Sequence, residues 1–116
     1  MSGLYYIEAD VCRAGRVGEL DLVRFLLQAG VPLDSCDDNC DTLLMCLLSW
    51  NCTFSKREKK RQFIKELINM GACVNTVNCY GEWTLHIAVK GCVQGYVAKR
   101  TVRRLVAAGS VTGLLN

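Results

Sequence analysis

One phrase recurs three times along the chain. Val23-Arg24-Phe25-Leu26-Leu27-Gln28-Ala29-Gly30 returns as Ile64-Lys65-Glu66-Leu67-Ile68-Asn69-Met70-Gly71, and again as Val102-Arg103-Arg104-Leu105-Val106-Ala107-Ala108-Gly109. Each copy reads as the end of an amphipathic helix, with apolar residues at i, i+3 and i+4 and a glycine stop. Glycine suits that stop because the residue beyond a helix end takes left-handed dihedrals that strain any side chain. A chain made of repeated units buries its apolar faces by stacking one unit on the next. That constraint points to a binding scaffold before it points to an enzyme.

The text around the phrase narrows the unit. Gly71-Ala72-Cys73-Val74-Asn75 is followed by Tyr80-Gly81-Glu82-Trp83-Thr84-Leu85-His86-Ile87-Ala88-Val89. This resembles the ankyrin repeat, in which G-A-x-V-N leads into a hairpin with D-x-x-G, then T-P-L-H-x-A-A and a second helix. Gly30-Val31-Pro32-Leu33-Asp34 with Asp41-Thr42-Leu43-Leu44-Met45 is a weaker version. Ala14-Gly15-Arg16-Val17-Gly18-Glu19-Leu20-Asp21-Leu22-Val23 resembles the stretch between the two helices of a first unit. T-P-L-H is nowhere intact, since Leu43 and Thr84 replace its proline and Trp83 its threonine. The resemblance implies an all-α fold, an ankyrin-repeat solenoid of helix-turn-helix units linked by β-hairpin loops. The single domain 1–116 then divides into units of about 1–33, 34–74 and 75–112.

Spacing adds detail. Gly30 to Gly71 is 41 residues and Gly71 to Gly109 is 38, against a usual period of about 33. The surplus falls between the first and second helix of a unit, around 51–60 and 91–98. Ser55-Lys56-Arg57-Glu58 matches a capping box, which predicts a helix from about Lys56 to Met70 burying Phe63, Ile64, Leu67 and Ile68; the alternative is a basic loop. Helices are expected near 9–16, 19–29, 42–50, 56–70, 83–90 and 97–108. The links at 30–41 and 71–82 hold turn-formers. Leu4, Tyr5, Tyr6 and Ile7 precede the first helix, to cover it or to join a further unit. Trp83 stands where a threonine would cap a helix, so either Thr84 takes the cap or that helix frays.

Hydrophobic residues make up 51% of the chain, enough for a core. No apolar run is long enough to cross a membrane, and the start Met1-Ser2-Gly3-Leu4 has no signal-peptide pattern. The expected setting is the cytoplasm or nucleus, and the expected state a monomer.

Eight cysteines are spread along the chain without a C-x-x-C pair. The nearest pair, Cys36 and Cys40, would need two more ligands to hold zinc. No metal or cofactor is expected; free thiols acting as small buried hydrophobes fit a reducing compartment, with Cys12, Cys46 and Cys92 the ones expected inside. One histidine, His86, fills a slot that the ankyrin resemblance gives a structural role, tying hairpin loops. With no phosphate loop and no acid pair on one helix face, no enzymatic activity is expected.

Charge is polarised. Residues 1–50 carry three basic and eight acidic side chains, whereas 51–116 carry eleven and three. The basic clusters, Lys56, Arg57, Lys59, Lys60 and Arg61 and then Lys99, Arg100, Arg103 and Arg104, fall on second helices of consecutive units. The resemblance makes those helices neighbours on the convex side, so the clusters merge there. The bland reading is a solvated face; the rival one is a basic-surface binder of nucleic acid or an acidic partner. Nucleic acid is not favoured, because no aromatic residues interleave the charges. A metal-binding cysteine-rich protein is the remaining alternative.

Ankyrin domains grip partners through hairpin tips and the concave groove. Carried over, the partner-binding positions are Asp37, Asp38 and Asn39 on one tip, Asn78 and Tyr80 on the next, and Trp50, Ile87 and Lys90 on first helices, with Cys46 and Ser49 beside them. Trp50 is either an interface anchor or core packing at a helix end. The expected function is a protein–protein interaction scaffold, a substrate-recognition or regulatory adaptor for another protein.

Overall fold

Six α-helices occupy the described part of the chain, residues 2–109 of the computed structural model. They are α1 Ser2–Arg16, α2 Leu20–Gln28, α3 Leu43–Ser49, α4 Arg57–Asn69, α5 Thr84–Gln94 and α6 Lys99–Ala107. A 3₁₀ turn at Phe54–Lys56 precedes α4. Among the described residues there is no strand, only isolated antiparallel bridges from Cys36 to Thr42 and from Val77 to Trp83. Residues 110–112 of the expected third unit lie outside the described residues. Helix α1 starts at Ser2, so Leu4, Tyr5, Tyr6 and Ile7 lie within it and do not precede it; the side chains of Leu4, Tyr5 and Tyr6 lie outside the described ones.

The helices pair by burying one stripe each. α1 packs on α2, α3 on α4 and α5 on α6; α1, α3 and α5 also pack in a row, and α4 packs on α6. Helix α3 is buried at every position from Leu43 to Leu48, since α1, α5 and α4 surround it. A short helix that is apolar all round belongs in such a place. Val23 and Ile64 are buried at matching places on α2 and α4, and Val102 packs partly buried on α6.

The recurring glycines stop their helices as the phrase implies. Gly30, Gly71 and Gly109 have φ of 105°, 102° and 109°. Gly30 N–H donates to Leu27 O and Val31 N–H to Leu26 O, and Gly71 and Ala72 repeat that pair on Ile68 and Leu67. These bonds satisfy carbonyls that a helix end would otherwise leave orphaned.

Two helix starts differ from the sequence expectation. The Ser55–Glu58 capping box does not form: Ser55 Oγ pairs with Thr53 Oγ1, and Glu58 is taken by Arg61 and Gln62. The 3₁₀ turn leads the chain into α4 instead, with Lys56 N–H donating to Thr53 O. At α5, Thr84 does not cap; its hydroxyl pairs with Thr76 Oγ1. The Trp83 N–H donates to His86 Nδ1 at 3.3 Å, so a side chain three residues on satisfies the helix start.

Lys60 departs furthest from its expected place on a solvated basic face. It is only 3% exposed. Its ammonium donates to Leu48 O at 3.0 Å, Trp50 O at 2.6 Å and Tyr96 O at 2.8 Å, and lies 4.9 Å from the Tyr96 ring centre. Leu48 and Trp50 end α3, where orphan carbonyls and the helix dipole favour a cation. Lys60 is inside because it shares a helix face with Phe63, Ile64 and Leu67, all buried. Burial pushes its ammonium down to about 8 from the ordinary 10.5; Cys52 opposes that shift and Arg57 adds to it.

Lys60→Met would keep the bulk of the stem but leave three carbonyls without their donor. It should cost about 2–4 kcal/mol at pH 7 in urea unfolding. The native pKa lies below the unfolded one, so the unfolded state holds more protons between about pH 8 and 10.5. The stability due to Lys60 therefore rises with pH across that window. The gap between wild type and Lys60→Met should widen there by about 1–3 kcal/mol, while cysteines and tyrosines common to both proteins cancel. A gap that stays constant would show that folding does not lower the Lys60 pKa.

Candidate partner-binding surface

The two loops that follow the glycine stops are built alike. Asp37 Oδ1 accepts from the N–H of Asn39 at 2.9 Å and of Asp41 at 3.0 Å. Asn78 Oδ1 accepts from the N–H of Tyr80 at 3.0 Å and of Glu82 at 2.9 Å. The main-chain bonds match too: Asp37 to Asp41 and Leu43 to Ser35 in one loop, Asn78 to Glu82 and Thr84 to Thr76 in the other. Every pair is displaced by 41 residues, the spacing from Gly30 to Gly71. Asp and Asn both serve because only one side-chain oxygen is needed to stand in for a backbone acceptor.

The tips then join each other. Cys79 N–H donates to Asn39 O at 2.9 Å, Cys79 Sγ to Cys40 Sγ at 2.9 Å, and Asn78 Nδ2 to Asp41 Oδ1 at 2.8 Å. Tyr80 Oη reaches Asn39 Oδ1 at 3.4 Å. At the loop bases, Asp34 Oδ1 accepts from Cys73 N–H and Asn75 Nδ2 donates to Gly109 O. Arg16, at the end of α1, donates to Asp37 Oδ2 at 3.2 Å and Asp41 Oδ2 at 3.0 Å. The first tip is thus held from both sides.

Among the residues expected to bind a partner, Asp38, Asn39 and Tyr80 stand on this platform and are exposed, Tyr80 by 70%. Lys90 is exposed and pairs with Glu82 at 3.0 Å. Asn78 first, then Lys90, holds the Glu82 carboxyl below its ordinary range. Asp37 is half-buried and committed to its turn and to Arg16. Trp50, Asn78 and Ile87 are buried and offer a partner little surface. Trp50 lies over Gly18, where a Cβ would overlap its ring. The polar atoms of Asn78 are consumed inside the loop and by Asp41. Ile87 and Cys46 face the core, and Arg16 Nη2 lies 3.3 Å from Cys46 Sγ.

Of the first basic cluster only Arg61 meets the second; Lys56 and Lys59 line a different groove, between α2 and α4. Arg61, Arg100, Arg103 and Arg104 line a groove of about 570 Å³ between α4 and α6. Arg61 is paired with Glu58, whose carboxyl that bond holds down at about 2. Lys56, Arg57, Lys59 and Lys99 are exposed, and Lys60 is not part of this surface. A second groove, of about 680 Å³, opens over Trp50 and Phe63 between α2 and α4. Sequence reasoning missed it; Arg24 crosses it to Glu66 at 2.8 Å and stacks on Phe63.

Cys12 and Cys46 are fully buried, Cys92 is only half-buried, and Cys52 is an additional buried thiol. A hydrogen bond with Cys46, and burial, push the Cys12 thiol up. Among the described residues no group of three or more His, Cys, Asp or Glu is placed to hold a metal ion. No described helix is long and apolar enough to cross a membrane. No family model and no curated protein gives a match to this chain.

The shared loop geometry separates turn formation from charge at position 37. Asp37→Asn keeps the acceptor that Asn78 supplies in the next loop and should change stability by less than about 1 kcal/mol. Asp37→Ala removes it and should cost about 1–2 kcal/mol. Equal losses in the two variants by chemical denaturation would refute that assignment.

Proposed function

We propose that this chain is a divergent ankyrin-type repeat domain that binds another protein through its loop tips. The observation that carries the reading is Tyr80, a large aromatic side chain 70% exposed on a platform fixed by tip-to-tip hydrogen bonds. A rigid platform loses little freedom on binding, and tyrosine is among the residues that dominate interface energetics. Asp38 and Asn39 flank it on the neighbouring tip, and Asp38 can steer a basic partner without being needed for the fold. The ankyrin reading is supported by the repeated helix stop, the two matching loops and the packing of α1, α3 and α5 in a row. The domain acts as a monomeric adaptor in the cytoplasm or nucleus, without catalysis.

The rival reading rests on the arginine groove between α4 and α6, where Arg100, Arg103 and Arg104 form no ion pair among the described residues. An acidic partner there would bind with steep salt dependence.

Affinity capture with the whole chain separates the two. Tyr80→Ala should weaken capture of a specific partner by about 1–3 kcal/mol, roughly tenfold or more. Asp38→Lys should mainly slow association. Replacing Lys59, Arg100, Arg103 and Arg104 with Gln should leave affinity nearly unchanged. Loss of binding in that quadruple variant, with Tyr80→Ala binding normally, would favour the arginine groove over the tips.

A further inference from the structure

Two of the exposed thiols meet at the junction of the tips. Cys79 Sγ–H donates to Cys40 Sγ at 2.9 Å, and neither residue is buried. A disulfide bond is about 2.0 Å long, so closure requires an approach of about 0.9 Å. The main chains are already fixed beside the pair: Cys79 N–H donates to the carbonyl of Asn39, the residue before Cys40. Residues adjoining the two cysteines are bonded as well, Asn78 to Asp41 and Tyr80 to Asn39. The proximity is therefore set by backbone and side-chain bonds on both flanks, not by two flexible side chains that happen to meet.

The identity of residue 40 adds a second observation. Cys40 has a φ of 60°, the one left-handed non-glycine residue among those described. The equivalent position in the next loop is Gly81, at φ 77°. Glycine is the ordinary solution at such a turn, and a side chain there is strained. This chain accepts that strain at the place where a thiol meets a second one.

We propose that Cys40 and Cys79 form an oxidation site, at which a small-molecule disulfide of the oxidised-glutathione class closes a cystine between the two tips. Cys79 donates its S–H to Cys40, so Cys40 is the sulfur left free to lose its own proton and act as the attacking group. Its sulfur attacks one sulfur of the small disulfide, forming a mixed disulfide and expelling one small thiolate. Cys79 then gives up its proton and attacks the Cys40 sulfur, expelling the second small thiolate. Two protein thiols lose two electrons and two protons, and the small disulfide is reduced to two thiols. The hydrogen bond to Cys40, with the charges of Asp41 and Asp37, holds the Cys79 thiol up, in keeping with its role as the proton-bearing second partner. The bond closes a loop that contains α3 and α4 and fixes the spacing of the tips. The proposal does not depend on the tips binding a partner.

The test uses the full chain in glutathione buffers of increasing oxidised fraction, followed by alkylation of free thiols and peptide mass mapping. The expected product has lost two hydrogens, carries no glutathione and links the Cys40 peptide to the Cys79 peptide. Its Tm should rise by several degrees, reversed by dithiothreitol. In Cys79→Ser, a glutathione adduct should persist on Cys40; in Cys40→Ser, no cross-link should form. Circular dichroism confirms that each variant folds, and if one does not, the other reports alone. Stable glutathione adducts on Cys40 or Cys79 of the wild-type chain, or closure of a pair involving Cys36 or Cys73 at a lower oxidised fraction, would overturn the proposal.

Discussion

The arrangement of the described helices depends on one ammonium group. Lys60 gathers the carbonyls of Leu48 and Trp50, where α3 ends, and that of Tyr96, where the chain turns between α5 and α6. Helix α3 is only seven residues long and ends in extended backbone at Trp50. A helix end buried there needs donors, and none comes from a glycine stop as in α2, α4 and α6. The ammonium supplies them from the next helix, and its charge suits the negative end of the α3 dipole. Burying a cation without a carboxylate is costly. Three carbonyls and the face of Tyr96 offset part of that cost, and the remainder shows in the fall of the ammonium to about 8.

Two links of the chain converge on this anchor. The links from α3 to α4 and from α5 to α6 both approach Lys60. After α3, the segment Asn51–Lys56 leaves from the carbonyls that Lys60 holds. After α5, Gly91 O accepts from the N–H groups of Gly95, Tyr96 and Val97, folding the chain back so that Tyr96 O meets the same ammonium. Gly91 has no side chain because Tyr96 and Val97 pack where a Cβ would stand. Two loops of different sequence are thus tied to one atom.

Much of this was legible in the chain, and the misses have identifiable causes. The glycine stops and amphipathic stripes place five of the six helices to within a few residues, since both signals are local. The extra length of α1 was not seen, because Leu4 to Ile7 read as a separate apolar lead-in. The neighbours Lys59 and Arg61 point Lys60 to a solvated face, though its spacing to Phe63, Ile64 and Leu67 puts it on the buried one. Trp50 comes one residue after a run of six buried residues, yet residue type alone leaves anchor and core equally open. Its tip position presents Asn78 as a displayed group, whereas the offset of 41 from Asp37 makes it the turn-former of its loop. The Cys40–Cys79 contact carries no such signal. The two cysteines stand at non-equivalent loop positions, and only side-by-side packing of the tips joins them.

The candidate surface and the links that meet at Lys60 are built differently. The loops carrying Asp38 and Tyr80 share their turn bonds across 41 residues, because each is closed by its own Asp or Asn oxygen, and the two are tied together through Asn78, Asp41 and Asn39. The α3–α4 and α5–α6 links share no such template and differ in length and conformation. They meet at Lys60, whereas a one-residue change in a tip loop would break two side-chain bonds and the inter-tip bond together. The edge built from the matching loops is the more fixed of the two, which is what the proposed recognition surface requires.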